Sequence, residues 1–182
     1  MKNTKATFAA LAISALTLGG AAMAQDNSDK MNHKSGKMGM NMDSKFAMEA
    51  ASGGMTEVQL GQMAKDKGSS QAVKDFGQKM VDDHGKANDE LKQIAASKNM
   101  TFPTSPNAKD QATITKLSSL SGAAFDRAYV KDMVMDHKKD IAAFQKESTT
   151  GKDSDIKAFA AKTLPTLQEH QKMIDDIAAK KM

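Results

Sequence analysis

The sequence predicts an all-α protein of four long helices, arranged as two antiparallel hairpins joined by a long crossover that contains a short helix. Three observations carry this reading. From Lys45 onward apolar residues recur three and four positions apart in segment after segment, the spacing of one helix face. Only three prolines occur in the 182 residues, and the β-branched residues never fall into the alternating runs that strands need. Two of the breaks between helical segments are very short, and one is about 24 residues long, from Asn99 to Gly122.

The first helix is expected over about Lys45 to Lys67. Its seam is Phe46, Ala50, Gly53, Glu57, Leu60 and Ala64, with the carboxylate of Glu57 at the centre. Gly68 supplies a stop, and Lys65 and Lys67 stand in the last turn, where the helix dipole favours cations. After a tight Ser69-Ser70 turn the second helix runs to about Ser97. Its seam is Val73, Phe76, Met80, His84, Ala87, Leu91 and Ile94, with His84 in the middle. So short a connection makes the two helices antiparallel neighbours.

In the crossover, Phe102-Pro103 and Ser105-Pro106 break the helix, and Asp110 to Leu120 forms a short helix with Ile114 and Leu117 inward. The third long helix is expected over Ala123 to Thr149, with Val130, Met133, His137, Ile141 and Phe144 on one stripe. Gly151 ends it, and Asp153-Ser154-Asp155 opens the fourth, with acids at its positive end. That helix carries Ile156, Phe159, Thr163, Leu167, His170, Ile174 and Ile177. Pro165 is expected to interrupt it and to kink it one turn before His170, because it cannot donate to the carbonyl of Ala161. A crossover of this length can run the whole length of a bundle of 25-residue helices, about 35–40 Å. The second and third long helices are then parallel, which is the ferritin-like topology. Met80-Val81-Asp82-Asp83-His84 and Met133-Val134-Met135-Asp136-His137 form a weak internal repeat that suggests a duplicated hairpin.

Ahead of this domain, assigned to residues 45–180, stand two segments of other kinds. Residues 1–24 read as a cleavable signal peptide: Lys2 and Lys5, an apolar run from Phe8 to Leu18, then Ala22-Met23-Ala24 with cleavage between Ala24 and Gln25. The run is shorter than the roughly 20 residues of a membrane span. Export to the periplasm is the expected address, with peripheral association with the envelope left open. Residues 25–44 lack Val, Ile, Leu and aromatic residues and are expected to form a disordered linker. Met31, Met38, Met40 and Met42, with His33, make it a candidate site for a soft ion such as Cu(I) or Ag(I). The alternative is a linker whose methionines bind nothing.

Without Lys2 and Lys5 the formal charge falls from +4 to +2, 24 basic against 22 acidic residues. Basic residues are interspersed with acids and aromatic residues are few, so nothing points to nucleic acid. There is no cysteine, which excludes disulfide staples and thiolate chemistry.

Four helices thus offer four polar groups at the centres of their seams: Glu57, His84, His137 and His170. Each of these histidines follows an acid, Asp83, Asp136 or Glu169, about 100° round the helix and able to orient a ligating ring or to remain solvated. Three imidazoles and a carboxylate suit Zn(II), Fe(II), Mn(II) or Cu(II). The same groups can instead form a metal-free polar layer that fixes helix pairing. Counted from the turns, His170 is expected up to ~7 Å deeper than His137.

Phe46, Ala50, Glu57 and Leu60, then Met80 to His84, Gly122-Ala123-Ala124-Phe125-Asp126-Arg127-Ala128-Tyr129, and Leu164-Pro165-Thr166-Leu167-Gln168-Glu169-His170 occur in that order. In these the chain resembles the bacterial ferritin-like "predicted outer membrane protein" family, domain of unknown function 4142, over about Phe46 to Ile177. The resemblance implies a four-helix domain in the cell envelope and no established activity. Di-iron members of the ferritin-like class use Glu-x-x-His, whereas Val81, Val134 and Leu167 stand three residues before the histidines here. That argues against oxygen-activating di-iron chemistry. The reading is a non-enzymatic envelope protein that binds or buffers a transition metal. The alternatives are a metal-free structural or stress-protective protein and, behind it, a metal-dependent oxidoreductase.

Overall fold

The computed structural model describes residues 41–180, and the helical spacing holds throughout them. Five helices follow in order: α1 (Met42–Lys67), α2 (Gln71–Ser97), α3 (Ala108–Ser118), α4 (Gly122–Thr150) and α5 (Ser154–Ala179), with no strand among the described residues. The expected cleavage site at Ala24 and Gln25, and Met31, His33, Met38 and Met40 of the Met-rich segment, lie outside them. Helix α1 starts three residues before the expected Lys45. The Asn41 side chain accepts from the Ser44 amide at 2.7 Å, a cap that starts the helix inside a stretch whose composition suggested linker.

Each hairpin turns on a glycine. Gly68 and Gly151 both have extended backbone, and each donates its N–H to the carbonyl four residues back, at 3.1 Å and 2.9 Å. The turn amides that follow are taken up by an aspartate of the other hairpin. Asp126 of α4 accepts from the amides of Ser69 (3.1 and 3.2 Å) and Ser70 (2.8 Å). Asp43 of α1 accepts from Lys152 (3.1 and 3.2 Å) and Asp153 (2.8 Å). Both aspartates are buried. Positions 43 and 126, 68 and 151, and 69 and 152 are each 83 residues apart, so the two hairpins are joined by a reciprocal clasp of one geometry. The internal repeat therefore pairs α1 with α4 and α2 with α5. The similarity of Met80–His84 to Met133–His137 aligns α2 with α4 instead, and it does not mark the structural repeat.

The clasp fixes direction. The start of α1 lies at the α4–α5 turn and the start of α4 at the α1–α2 turn, so α1 and α4 are antiparallel while α2 and α4 run the same way. The crossover returns the chain from the end of α2 to the start of α4. Its helix α3 packs on α1 and α4, burying Ile114 and Leu117 as the spacing predicts. Helices α1 and α2 approach closely where Gly61 faces Gly77. A Cβ on either would lie 2.6 Å from the other's carbonyl oxygen. Helix α5 runs unbroken through Pro165, contrary to the expected interruption. The missing donor removes one hydrogen bond, and packing on α4 and α2 keeps the helix whole.

The apolar interior is in two parts. One cluster gathers Leu60, Val73, Phe76, Met80, Tyr129 and Met133 with their neighbours, and the other Phe46, Leu91, Phe144, Ile156, Phe159 and Leu167. Glu57, His84, His137 and His170 stand between these two sets in the seams of α1, α2, α4 and α5.

Candidate metal centre

Each member of the polar layer is buried: Glu57 is 1% exposed, His84 6%, and His137 and His170 0%. The three rings form a near-equilateral triangle, with centroids 5.3 Å (His84–His170), 5.4 Å (His137–His170) and 5.8 Å (His84–His137) apart. One nitrogen from each lies within 4.8 Å of the others. The expected offset in depth between His137 and His170 is therefore absent, since His137 Nε2 and His170 Nδ1 are 3.4 Å apart. Counting from the turns ignored the stagger between hairpins that the clasp sets.

Proton positions follow from the partners. His137 Nδ1 faces the Met133 carbonyl at 3.1 Å, and a carbonyl only accepts, so Nδ1 carries the hydrogen. His170 Nε2 donates to Asp83 Oδ2 at 2.9 Å in the same way. Burial pushes all three histidines down to about 4, so each ring is neutral at pH 7 and holds one proton. His137 Nε2 and His170 Nδ1 then face one another as two lone pairs. Their 3.4 Å separation is that of two nitrogens on a shared tetrahedral ion with bonds of about 2.0–2.1 Å.

Glu57 closes the fourth side. Its Oε2 is 2.8 Å from His84 Nδ1 and its Oε1 3.5 Å from His137 Nε2. Burial, opposed by the neighbouring His137, pushes Glu57 up to about 8. With His84 held neutral, the 2.8 Å contact is a hydrogen bond between neutral groups rather than an ion pair. Glu57 Oε1 and His84 Nε2 are buried and have no hydrogen-bond partner among the described residues. A cavity of ≈ 20 Å³ adjoins them, lined in part by Glu57, His84, Asn88 and Asp140. This set of facing lone pairs, orphaned atoms and a carboxylate fits a transition ion.

The three acids that precede the histidines divide. Asp83 reaches across to His170, not to its own neighbour. Burial pushes it up, but hydrogen bonds from His170 and from Lys79 (3.1 Å) outweigh this and hold it below its usual range. It therefore fixes the His170 tautomer. Glu169 is 59% exposed and pairs with Lys79 at 3.3 Å, so it touches no ring and only steadies that lysine. Asp136 bonds to no histidine either, and gathers instead with Glu57 and Asp140. Asp140 carries no mark in the sequence, because it stands three residues after His137, whereas the Glu-x-x-His pattern places its carboxylate three residues before the histidine. Met42, the described member of the Met-rich segment, is exposed and some 15 residues along α1 from Glu57, about 22 Å away.

Fold and site together define an all-helical protein with a buried histidine–carboxylate layer between two apolar clusters. The structure of a DUF305 protein from Streptomyces coelicolor, described as secreted, is similar with a TM-score of 0.65 at 13% identity, over 76% of this chain and 91% of that one. At that identity the likeness shows the fold alone. No curated protein matches the chain. The model of a domain of unknown function, DUF4142, matches residues 28–177, and the chain belongs to that family.

Proposed function

We propose that this DUF4142 protein is an exported, ferritin-like four-helix bundle that binds or buffers a transition ion through His84, His137, His170 and Glu57. The observation that carries the reading is the 3.4 Å approach of His137 Nε2 to His170 Nδ1 in the interior, with the other nitrogen of each ring held by an oxygen acceptor. Asp83 holds the His170 ring, as carboxylates commonly do behind a ligating histidine. An ion there supplies a fixed positive charge that the buried layer otherwise lacks. The role is binding rather than catalysis, because the adjoining cavity of ≈ 20 Å³ has room for a water or an ion and not for an organic substrate. Export rests on the n-region, apolar run and Ala22-Met23-Ala24 site, and no described helix is long and apolar enough to cross a membrane. The Met-rich segment is a separate candidate for a soft ion, since Met42 stands about 22 Å from the layer.

The test is metal analysis of the purified chain after incubation with Zn(II), Fe(II), Mn(II) or Cu(I), beside His137→Ala and a chain beginning at Asn41, which keeps the α1 cap and Asp43 but lacks Met31, His33, Met38 and Met40. Binding lost in His137→Ala supports the layer. Binding lost only on removing the Met-rich segment moves the site there. A wild-type chain that takes up none of the ions leaves a metal-free polar layer, which the neutral Glu57–His84 hydrogen bond would then hold together.

A further inference from the structure

Glu57 belongs to two donor groups at once. Beside the histidines, one of its oxygens lies within 4.8 Å of a carboxylate oxygen from each of Asp136 and Asp140. Glu57 comes from α1, and the two aspartates stand one turn apart on α4, one residue before and three after His137. Three carboxylates so close repel unless a cation or protons intervene. The cations beside them are thin cover: Lys139 reaches Asp136 at 3.8 Å with its own side chain 62% exposed, and Lys109 of α3, also exposed, makes no ion pair with either aspartate. No donor satisfies Glu57 Oε1, which is buried. Asp110 of α3 and Asp132, one turn before Asp136, add to the negative field at Glu57.

The geometry points to a second cation position, held by Glu57, Asp136 and Asp140, adjoining the histidine position and sharing Glu57 with it. The shared ligand makes this rest on the reading of the histidine layer given above. The two positions differ in chemistry: the first is rich in nitrogen and suits Zn(II), Fe(II) or Cu(II), whereas the second offers only oxygen and suits a harder ion such as Mn(II). A carboxylate bridge is thus available without Glu-x-x-His, because the bridging group comes from α1 and the terminal ones from α4. Two ions sharing one carboxylate in this way stand about 3.5–4 Å apart.

Mn(II), which accepts both nitrogen and oxygen ligands, is the probe. The purified chain is loaded with it, free metal is removed, and the ion-to-chain ratio is read together with the electron paramagnetic resonance spectrum. Two ions per wild-type chain are expected, with the broadened spectrum of a coupled pair. Asp136→Asn/Asp140→Asn should hold one ion with the sharp spectrum of an isolated centre. Single Asp140→Asn is made alongside, and a melting temperature at or above wild type in the metal-free state shows that either variant is folded. One ion per wild-type chain, unchanged in these variants, overturns the second position and leaves the histidine site standing. No Mn(II) in the wild type overturns the second position, and the histidine site is then judged by its own test with Zn(II) and Fe(II).

Discussion

Replacing His84 with Leu leaves Glu57 Oε2 buried without its 2.8 Å partner. The metal-free chain is expected to lose about 1–3 kcal/mol, read from urea unfolding. Pairing that change with Glu57→Met should recover most of the loss, since removing both members of a buried polar pair is often neutral. A second test uses pH. Glu57 is raised from 4.5 to about 8, so the stability it contributes is complete below its unfolded value and is lost as pH rises through 8. Glu57→Gln, which does not titrate, should therefore gain melting temperature over the metal-free wild type as pH goes from 4.5 to 8, and the gap should level off beyond. A gap that stays constant would mean that Glu57 is ionised in the fold. At this scale the sequence marked Glu57 and all three histidines through their places on the seams. It could not mark Asp140, because which side of His137 faces Glu57 depends on how α1 and α4 are rotated against one another.

Helix α5 continues through Pro165, so replacing that residue meets a helix already formed. Pro165→Ala should restore the bond to the Ala161 carbonyl and stabilise the chain by about 1–3 kcal/mol. Equilibrium unfolding in urea checks this, and a loss of stability would show that the proline is needed for packing. The limits of the helices were legible from Gly68, Gly151 and the Asp153 cap because those signals are local. The start of α1 was missed where Asn41 caps a polar stretch, and the continuity of α5 was missed because its support comes from neighbouring helices. Intrinsic preference is a weak prior wherever tertiary packing holds the segment.

Across the whole molecule the two hairpins are held at opposite ends by Asp43 and Asp126. Each accepts from two backbone amides of the other hairpin's turn, so Asp43→Ala and Asp126→Ala should each cost about 1–3 kcal/mol. The ends are about 37 Å apart, so the double variant should show the sum of the two losses in denaturant melts. The long crossover was readable from its length, and with it the parallel run of α2 and α4. The reciprocal clasp was not, because two aspartates 83 residues apart carry no sign of their shared role until the turns they cap are in place. It also bears on ancestry. One hairpin already contains both halves of the fastening, Asp43 and the amides of Ser69 and Ser70. A peptide of residues 41–98 made alone is therefore expected to associate with a second copy of itself about a two-fold axis, each Asp43 closing the other's turn. Sedimentation of that peptide, with Asp43→Ala shifting it toward monomer, would show the present chain as two such partners fused end to end.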